Sequence, residues 1–250
     1  MEGMLSNEPP LRDKVALVFG GSRGIGAAIV KQLAADGTSV ALTYAKSPDK
    51  AAETARAAEA LGVSALMIEA DSADPAAVKD AVEQTVARFG RLDILVVNAG
   101  IMIRGTVDTF ALEDFDRMLA TNVRGVFVAI QVSAPHLADG GRIITIGSNT
   151  AVRTAFPGSS VYSMTKGAIA SLVRGVAIDL APRGITVNNV QPGPTATDMT
   201  AAHIEMIKPF VPLGRMGEPE EVAGLVAYLA SARAGFITGS SLTIDGGYVA

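Results

Sequence analysis

From Lys14 onward, short runs of nearly continuous Val, Ile, Leu and Ala alternate with longer Ala-rich stretches whose apolar residues recur at helical spacing. The short runs predict seven strands, at Val15–Phe19, Ser39–Tyr44, Ala65–Glu69, Ile94–Val97, Arg142–Ile146, Thr186–Val190 and Ser241–Ile244. The intervening stretches predict helices at Gly26–Ala35, Pro48–Leu61, Pro75–Phe89, Leu112–Leu137, Ser160–Ala181 and Pro219–Ala230. Strands without polar alternation are buried on both faces, so the pattern predicts an α/β fold: a doubly wound sheet of seven mostly parallel strands with helices on both faces. The punctuation agrees. Pro48, Pro75 and Pro219 stand at first-turn positions, where a missing N–H does no harm, and Gly37, Gly62 and Gly90 each close a helical run.

No repeat, linker or low-complexity tract interrupts the alternation, so residues 11–250 are expected to form one domain behind a short disordered tail, residues 1–10. Only the segment Gly193–Gly217 lacks a clear pattern, which in a compact domain marks a functional lid or a disordered stretch.

Composition narrows the chemistry. A chain of 250 residues buries roughly three-quarters of its unfolded surface and needs no disulfide or structural metal. It has no cysteine, which removes thiol nucleophiles and thiolate zinc sites. The two histidines, His136 and His203, lack ligand spacing and are expected at the surface, so no metal site is predicted. With 21 Lys and Arg against 25 Asp and Glu, net charge −4, the chain lacks the basic footprint of a nucleic-acid binder. The longest apolar runs fall far short of the roughly 20 residues of a membrane span, and the acidic, Pro-containing start is unlike a signal peptide. A cytoplasmic location follows as the expectation.

The first strand runs into Phe19-Gly20-Gly21-Ser22-Arg23-Gly24-Ile25-Gly26 and then a helix. Glycines in that setting let a backbone approach a pyrophosphate lying on the positive end of a helix; a tight turn needing positive φ is the plain alternative. A second constellation lies farther on. Tyr162 and Lys166, four apart on a predicted helix, leave one face about a turn from each other, and a nearby ammonium favours a phenolate, lowering a pKa of about 10. Such pairs usually decorate helix surfaces, but Ser148 ends the fifth predicted strand, where an open α/β sheet places its ligand crevice. Ser148 could equally be a turn or capping residue, a role Asn149 could also fill.

Together with Asn98-Ala99-Gly100 after the fourth strand, these motifs resemble the short-chain dehydrogenase/reductase family over Leu11–Ala250. The resemblance implies a Rossmann-type sheet and a tetrad of Asn122, Ser148, Tyr162 and Lys166. In it the tyrosine exchanges a proton with a carbonyl or alcohol, and the lysine also bonds the nicotinamide ribose. Ser148 would hold the substrate oxygen, and Asn122 a water in the proton path to Lys166. It further implies that Gly20, Ser22, Gly24, Ile25 and Gly26 cradle the cofactor, and that Asn98, Ala99 and Gly100 pass its adenine ribose. Asp71 and Ser72 would meet the adenine, although Asp71 could instead cap the helix at Pro75, as Asp74 also could. Pro192, Gly193, Thr195 and Thr197 would hold the carboxamide. One departure stands out: Phe19 replaces the family's threonine, which the resemblance assigns to bracing the turn, so the turn loses that brace while catalysis is expected to survive.

An NAD site wants a carboxylate at the end of the second strand, yet this chain offers Tyr44, Ala45, Lys46 and Ser47 there, with no acid before Asp49. Arg23 inside the turn can bond a phosphate bidentately, unless it merely faces solvent. Missing acid and present base favour NADP(H). The expected activity is NADPH-dependent reduction of a ketone or 3-oxoacyl carbonyl, reversible as an alcohol dehydrogenase; the rival is a cyclic-di-GMP-binding regulator on the same scaffold. Ile101, Met102, Phe156, Met199 and Phe210 suggest an apolar substrate cavity, with Met206 also facing it; Arg104 and Arg153 either flank its mouth for an anionic substrate or face solvent. A homotetramer built from the fifth and sixth predicted helices and the C-terminal strand, with Asp245–Tyr248 at the end, is the assembly the resemblance implies.

Overall fold

The computed structural model describes residues 10–198, 200–201 and 204–250. Seven strands, β1 (Val15–Phe19), β2 (Ser39–Tyr44), β3 (Ala65–Glu69), β4 (Leu92–Val97), β5 (Leu137–Ile146), β6 (Thr186–Pro192) and β7 (Ser241–Ile244), form one sheet in the order β3-β2-β1-β4-β5-β6-β7. Every pairing is parallel. Alternate β1 residues feed two separate cores. Ala16 and Val18 pack with α1 (Gly24–Ala35), α2 (Pro48–Glu59) and α8 (Pro219–Ala230), while Leu17 and Phe19 pack with α3 (Pro75–Phe89), α5 (Gly125–Ser133) and α6 (Ser160–Leu180). Each large aliphatic side chain fully buried there contributes roughly 1.5–3 kcal/mol. Gly37, Gly62 and Gly90 stand at positive φ where the first three helices end, as C-terminal glycines do.

The predicted helix over Leu112–Leu137 is interrupted. α4 (Leu112–Leu119) passes into a π-helical turn, Ala120–Arg124, before α5, which stops at Ser133. Pro135 has no N–H to continue the ladder past Ala134, and Leu137 opens β5 opposite Leu92. The pattern-poor segment Gly193–Gly217 is also partly ordered: α7 (Ile204–Ile207), a 3-10 turn over Lys208–Phe210 and a bridge between Thr195 and Gly217. It packs as a small third core of Ile207, Val211, Met216 and Tyr248. Met199 and His203 lie outside the described residues, as does nearly all of the 1–10 tail. No helix among the described residues is long and apolar enough to cross a membrane.

Candidate active site

The order of the strands reverses between β1 and β4, and a ligand crevice belongs beyond their carboxyl ends. A chamber of about 870 Å³ opens there. Every cofactor and tetrad residue expected from the sequence lines it except Gly26 and Asn122, each of which stands just behind the wall.

The glycine turn is held from three sides. Gly20 N–H donates to Thr43 Oγ1 at 2.9 Å, Gly21 N–H donates to Thr43 O at 3.0 Å, and Asn98 Nδ2 donates to Gly20 O at 2.8 Å. Phe19 O accepts from both Asn98 N–H and Ala99 N–H. The brace expected to be lost with Phe19 is therefore supplied by Thr43 of β2 and by Asn98. Gly20 has φ +75°, and a methyl group on Gly26 would lie 2.0 Å from Gly20 O, so α1 starts in direct backbone contact with the turn. That approach points the first N–H groups of α1 at the chamber, a cradle suited to a pyrophosphate.

At the end of the chamber beside β2, Arg23 is exposed and forms no ion pair among the described residues, and Lys46 and Ser47, just past β2, line the same wall. Asp74 caps α3, accepting from Ala76 N–H at 2.9 Å. The Asp71 carboxylate lines the chamber and, among the described residues, uses one oxygen, which accepts from Ala73 N–H at 2.9 Å. Thr197 packs on the far side, its Cγ2 3.4 Å from where a Cβ of Gly24 would stand, and Lys50 ties the next residue, Asp198, at 2.6 Å. Thr195 is buried, donating its hydroxyl to Gly193 O at 3.0 Å.

At the other end, Ser148, Tyr162 and Lys166 converge. Tyr162 and Lys166 occupy successive turns of α6, with Lys166 Nζ 5.6 Å from the Tyr162 ring centroid. Lys166 is 5% exposed and donates to Ile146 O at 3.0 Å. Ser148 accepts from Thr150 N–H at 3.2 Å, so it also caps the short turn Asn149–Ala151; the capping role and a place on the chamber wall coexist. Asn149 instead donates to Asp245 at 3.2 Å.

Asn122, 1% exposed, sits in the π-helical turn, an irregularity that recurs at functional sites. It accepts from Ile101 N–H at 2.9 Å and donates to Ile101 O at 2.8 Å, stitching the turn to the segment after β4. Its Oδ1 and Lys166 Nζ approach Gly100 from two sides, 3.4 Å and 3.5 Å from where a Cβ would stand.

Burial, rather than the neighbouring ammonium, dominates the titration of this pair. It pushes the Tyr162 phenol up to about 12, with a hydrogen bond to Ser148 pulling the other way, and pushes Lys166 down to about 8. The lowered phenol expected from the Tyr-Lys spacing is thus reversed, because desolvation outweighs the charge of the neighbouring ammonium.

Among the apolar candidates, Ile101, Met102 and Phe156 line the chamber; Phe210 does not, but stands edge-on behind Phe156 at 5.4 Å and is 56% exposed. Met206 is exposed and does not line the chamber. His136 is exposed. Sequence reasoning missed Tyr248, which is buried on the chamber wall, and Thr43, whose hydroxyl inside a buried strand was the available signal.

A sequence model of the family described as Enoyl-(Acyl carrier protein) reductase matches residues 20–249. The chain belongs to the short-chain dehydrogenase/reductase family. A short-chain dehydrogenase/reductase from Serratia marcescens is 56% identical, covers 96% of this chain and 100% of its own, and superposes with a TM-score of 0.94. A short chain dehydrogenase from Burkholderia cenocepacia, solved in complex with NADP, is 49% identical over 96% of this chain and 100% of its own, also at 0.94. The cyclic-di-GMP-binding biofilm dispersal mediator protein of Escherichia coli is 43% identical over 94% of this chain and 97% of its own length. The family carries oxidoreductases, and the architecture here is theirs.

Proposed function

We propose that the protein is an NADP(H)-dependent carbonyl reductase that converts a ketone or 3-oxoacyl carbonyl to the alcohol, reversibly. The observation that carries this reading is the convergence of Ser148, Tyr162 and Lys166 at one end of a chamber whose other end is a glycine cradle. When bound, the dihydronicotinamide supplies a hydride to the carbonyl carbon. The Ser148 hydroxyl holds the carbonyl oxygen, and Tyr162, which keeps its proton at neutral pH, delivers that proton to the oxygen as negative charge develops there. Lys166, still largely an ammonium at pH 7, stabilises the phenolate left behind and bonds the nicotinamide ribose. Asn122 fixes the segment through Ile101 that closes the floor beneath Lys166.

Arg23, Lys46 and Ser47 support NADP(H) over NAD(H), since they would meet a 2′-phosphate with two positive charges and no carboxylate at the end of β2, the nearby Asp198 being paired with Lys50. The relative solved with NADP supports the same choice. A cyclic-di-GMP regulator on this scaffold would have no use for the converging phenol, amine and hydroxyl. Replacing Tyr162 by Phe tests the two: we expect ketone reduction to fall at least 100-fold with NADPH binding retained. Intact activity in Tyr162→Phe together with tight cyclic-di-GMP binding would overturn the enzyme reading. We further propose one domain over residues 11–250, a cytoplasmic location and a homotetramer. The open edge of β7 and the exposed Phe236 beside it support association; a monomer in sedimentation would remove the tetramer.

A further inference from the structure

The chamber continues past Tyr162 to a wall made by the C-terminal turn, and this wall carries charge that the reaction does not use. Asp245 builds it: its carboxylate accepts from Gly247 N–H and Val249 N–H, each at 3.0 Å, and from Asn149 Nδ2 at 3.2 Å. These bonds tie the turn to the residue after Ser148 and set the Tyr248 ring, 6% exposed, against the chamber. The Arg153 guanidinium lies over that ring, 5.7 Å from its centroid, and donates to Tyr248 O at 2.7 Å. Arg104, in the loop after β4, is exposed like Arg153 and lines the same chamber, and the charges of both act on the Tyr248 phenol, partly offsetting the rise that burial causes.

Neither arginine has a carboxylate partner among the described residues, and Arg104 makes no hydrogen bond there. Asp245, in the same C-terminal turn as Tyr248, has both carboxylate oxygens engaged by Gly247 N–H, Val249 N–H and Asn149 Nδ2. A guanidinium carries five donors in a planar fork matched to a carboxylate or phosphate. Here one of ten is engaged among the described residues, both positive charges act on one phenol, and Ile101, Met102 and Phe156 line the same chamber as the two arginines and Tyr162.

We propose that Arg104, Arg153 and the Tyr248 hydroxyl form an anion subsite, and that the substrate is a ketone bearing an oxyanion, a carboxylate foremost, at the end remote from its carbonyl. The proposal rests on the reductase reading and narrows its substrate class. Arg153 is the stronger anchor because its stacking on Tyr248 already fixes the fork. Arg104, held by nothing else, closes on the same anion.

The test compares matched pairs that differ only in charge: 4-acetylbenzoate, 4-oxopentanoate and 5-oxohexanoate, each against its methyl ester, with NADPH oxidation followed by absorbance. At least one acid should exceed its ester tenfold or more in kcat/KM, the preference appearing mainly in KM. That ratio should fall toward one in Arg153→Met and Arg104→Met, recover in part in Arg153→Lys, and shrink as salt is raised. A parallel titration of the protein with 4-acetylbenzoate by calorimetry reads the subsite without turnover, and the same substitutions should weaken binding by the same factor. Equal turnover of every acid and its ester, or a preference that survives both substitutions, overturns the subsite while leaving the reductase intact. Arginine-dependent binding of 4-acetylbenzoate with no reduction of any ketone sustains the subsite and overturns the reductase.

Discussion

Gly26 is where the fold and the cofactor cradle meet, and a single methyl group there tests both. In Gly26→Ala the new Cβ would lie 2.0 Å from Gly20 O, 3.0 Å from Gly20 C and 2.6 Å from Asn98 Nδ2. Ordinary contact begins near 3.4 Å, so the turn and α1 must separate by more than an ångström, since the closest neighbour is backbone and the Asn98 amide is held by its bond to Gly20 O. Overpacking of this kind costs about 1–3 kcal/mol, and the separation also breaks the 2.8 Å bond from Asn98 to Gly20 O, worth about 1 kcal/mol. A total near 3 kcal/mol in a domain of this size lowers Tm by about 6–12 °C. The N–H groups of the cradle move with the turn, so NADPH affinity should fall at least tenfold. Calorimetric titration and thermal unfolding measure the two effects. Gly224→Ala is the control: it lies in α8 with nothing within 4 Å of the added Cβ, and it should stabilise by about 0.5–1 kcal/mol. If Gly26→Ala binds NADPH within twofold of the native protein and melts within 2 °C of it, the close approach of helix and turn is not what builds the cradle.

Other expectations follow from particular contacts. Lys166, at about 8 in the folded protein against about 10.5 in the unfolded chain, binds fewer protons folded than unfolded between those values. Folding stability should therefore rise with pH from about 8 to 10.5, by at most about 3 kcal/mol. Lys166→Met should lose that slope in urea titrations, and a slope unchanged by the substitution would show the ammonium is not desolvated. Asp93, 3% exposed, accepts from Val15 N–H at 3.0 Å and from Arg91 and Lys14, which together hold its carboxyl below the usual range against the desolvation that opposes them. Asp93→Ala should cost about 2 kcal/mol at neutral pH. The difference should shrink as pH falls below about 4 and the native carboxylate is itself protonated; a constant penalty down to pH 2 would contradict the charge-based account. The Lys50–Asp198 bridge crosses from α2 to the loop carrying Thr197, but both ends are at least half exposed, so Asp198→Asn should weaken NADPH binding only a few-fold, and not at all in 1 M salt.

What the sequence carried legibly were features with local causes. Nearly continuous Val, Ile, Leu and Ala runs marked the inner strands, because strands covered on both faces leave no polar alternation to confuse the period, while β7 at the sheet edge alternates Ser, Leu, Thr and Ile. Prolines at helix starts and glycines at helix ends fixed most boundaries within two residues. The misjudged stretch was Leu112–Leu137, where apolar residues at helical spacing hid the π-helical turn at Asn122. That turn is held by bonds to Ile101, twenty-one residues away, which no local pattern records. The place of Tyr248 was illegible for the same reason: a Gly-Gly-Tyr tail reaches the chamber only because Asp245 anchors it to Asn149, across ninety-six positions.

The reversed titration of Tyr162 shows where motif reasoning needs geometry. A four-residue spacing guarantees that amine and phenol share a helix face, but it says nothing about which atoms approach or how much water remains. Here Nζ stands 5.6 Å from the ring centroid and also donates to Ile146 O, and burial outweighs its charge in setting the resting phenol. The pair is consequently set as a proton-bearing phenol beside a marginal ammonium. That is the starting state for giving a proton to a carbonyl oxygen, and the wrong one for taking a proton from an alcohol at neutral pH. Oxidation should therefore become competent only as pH rises, whereas reduction should hold through neutrality and fail once Lys166 loses its charge above about 8. Rate profiles for the two directions that coincide across pH 6–10 would mean that charge supplied within the loaded site, and not burial in the protein, governs the phenol.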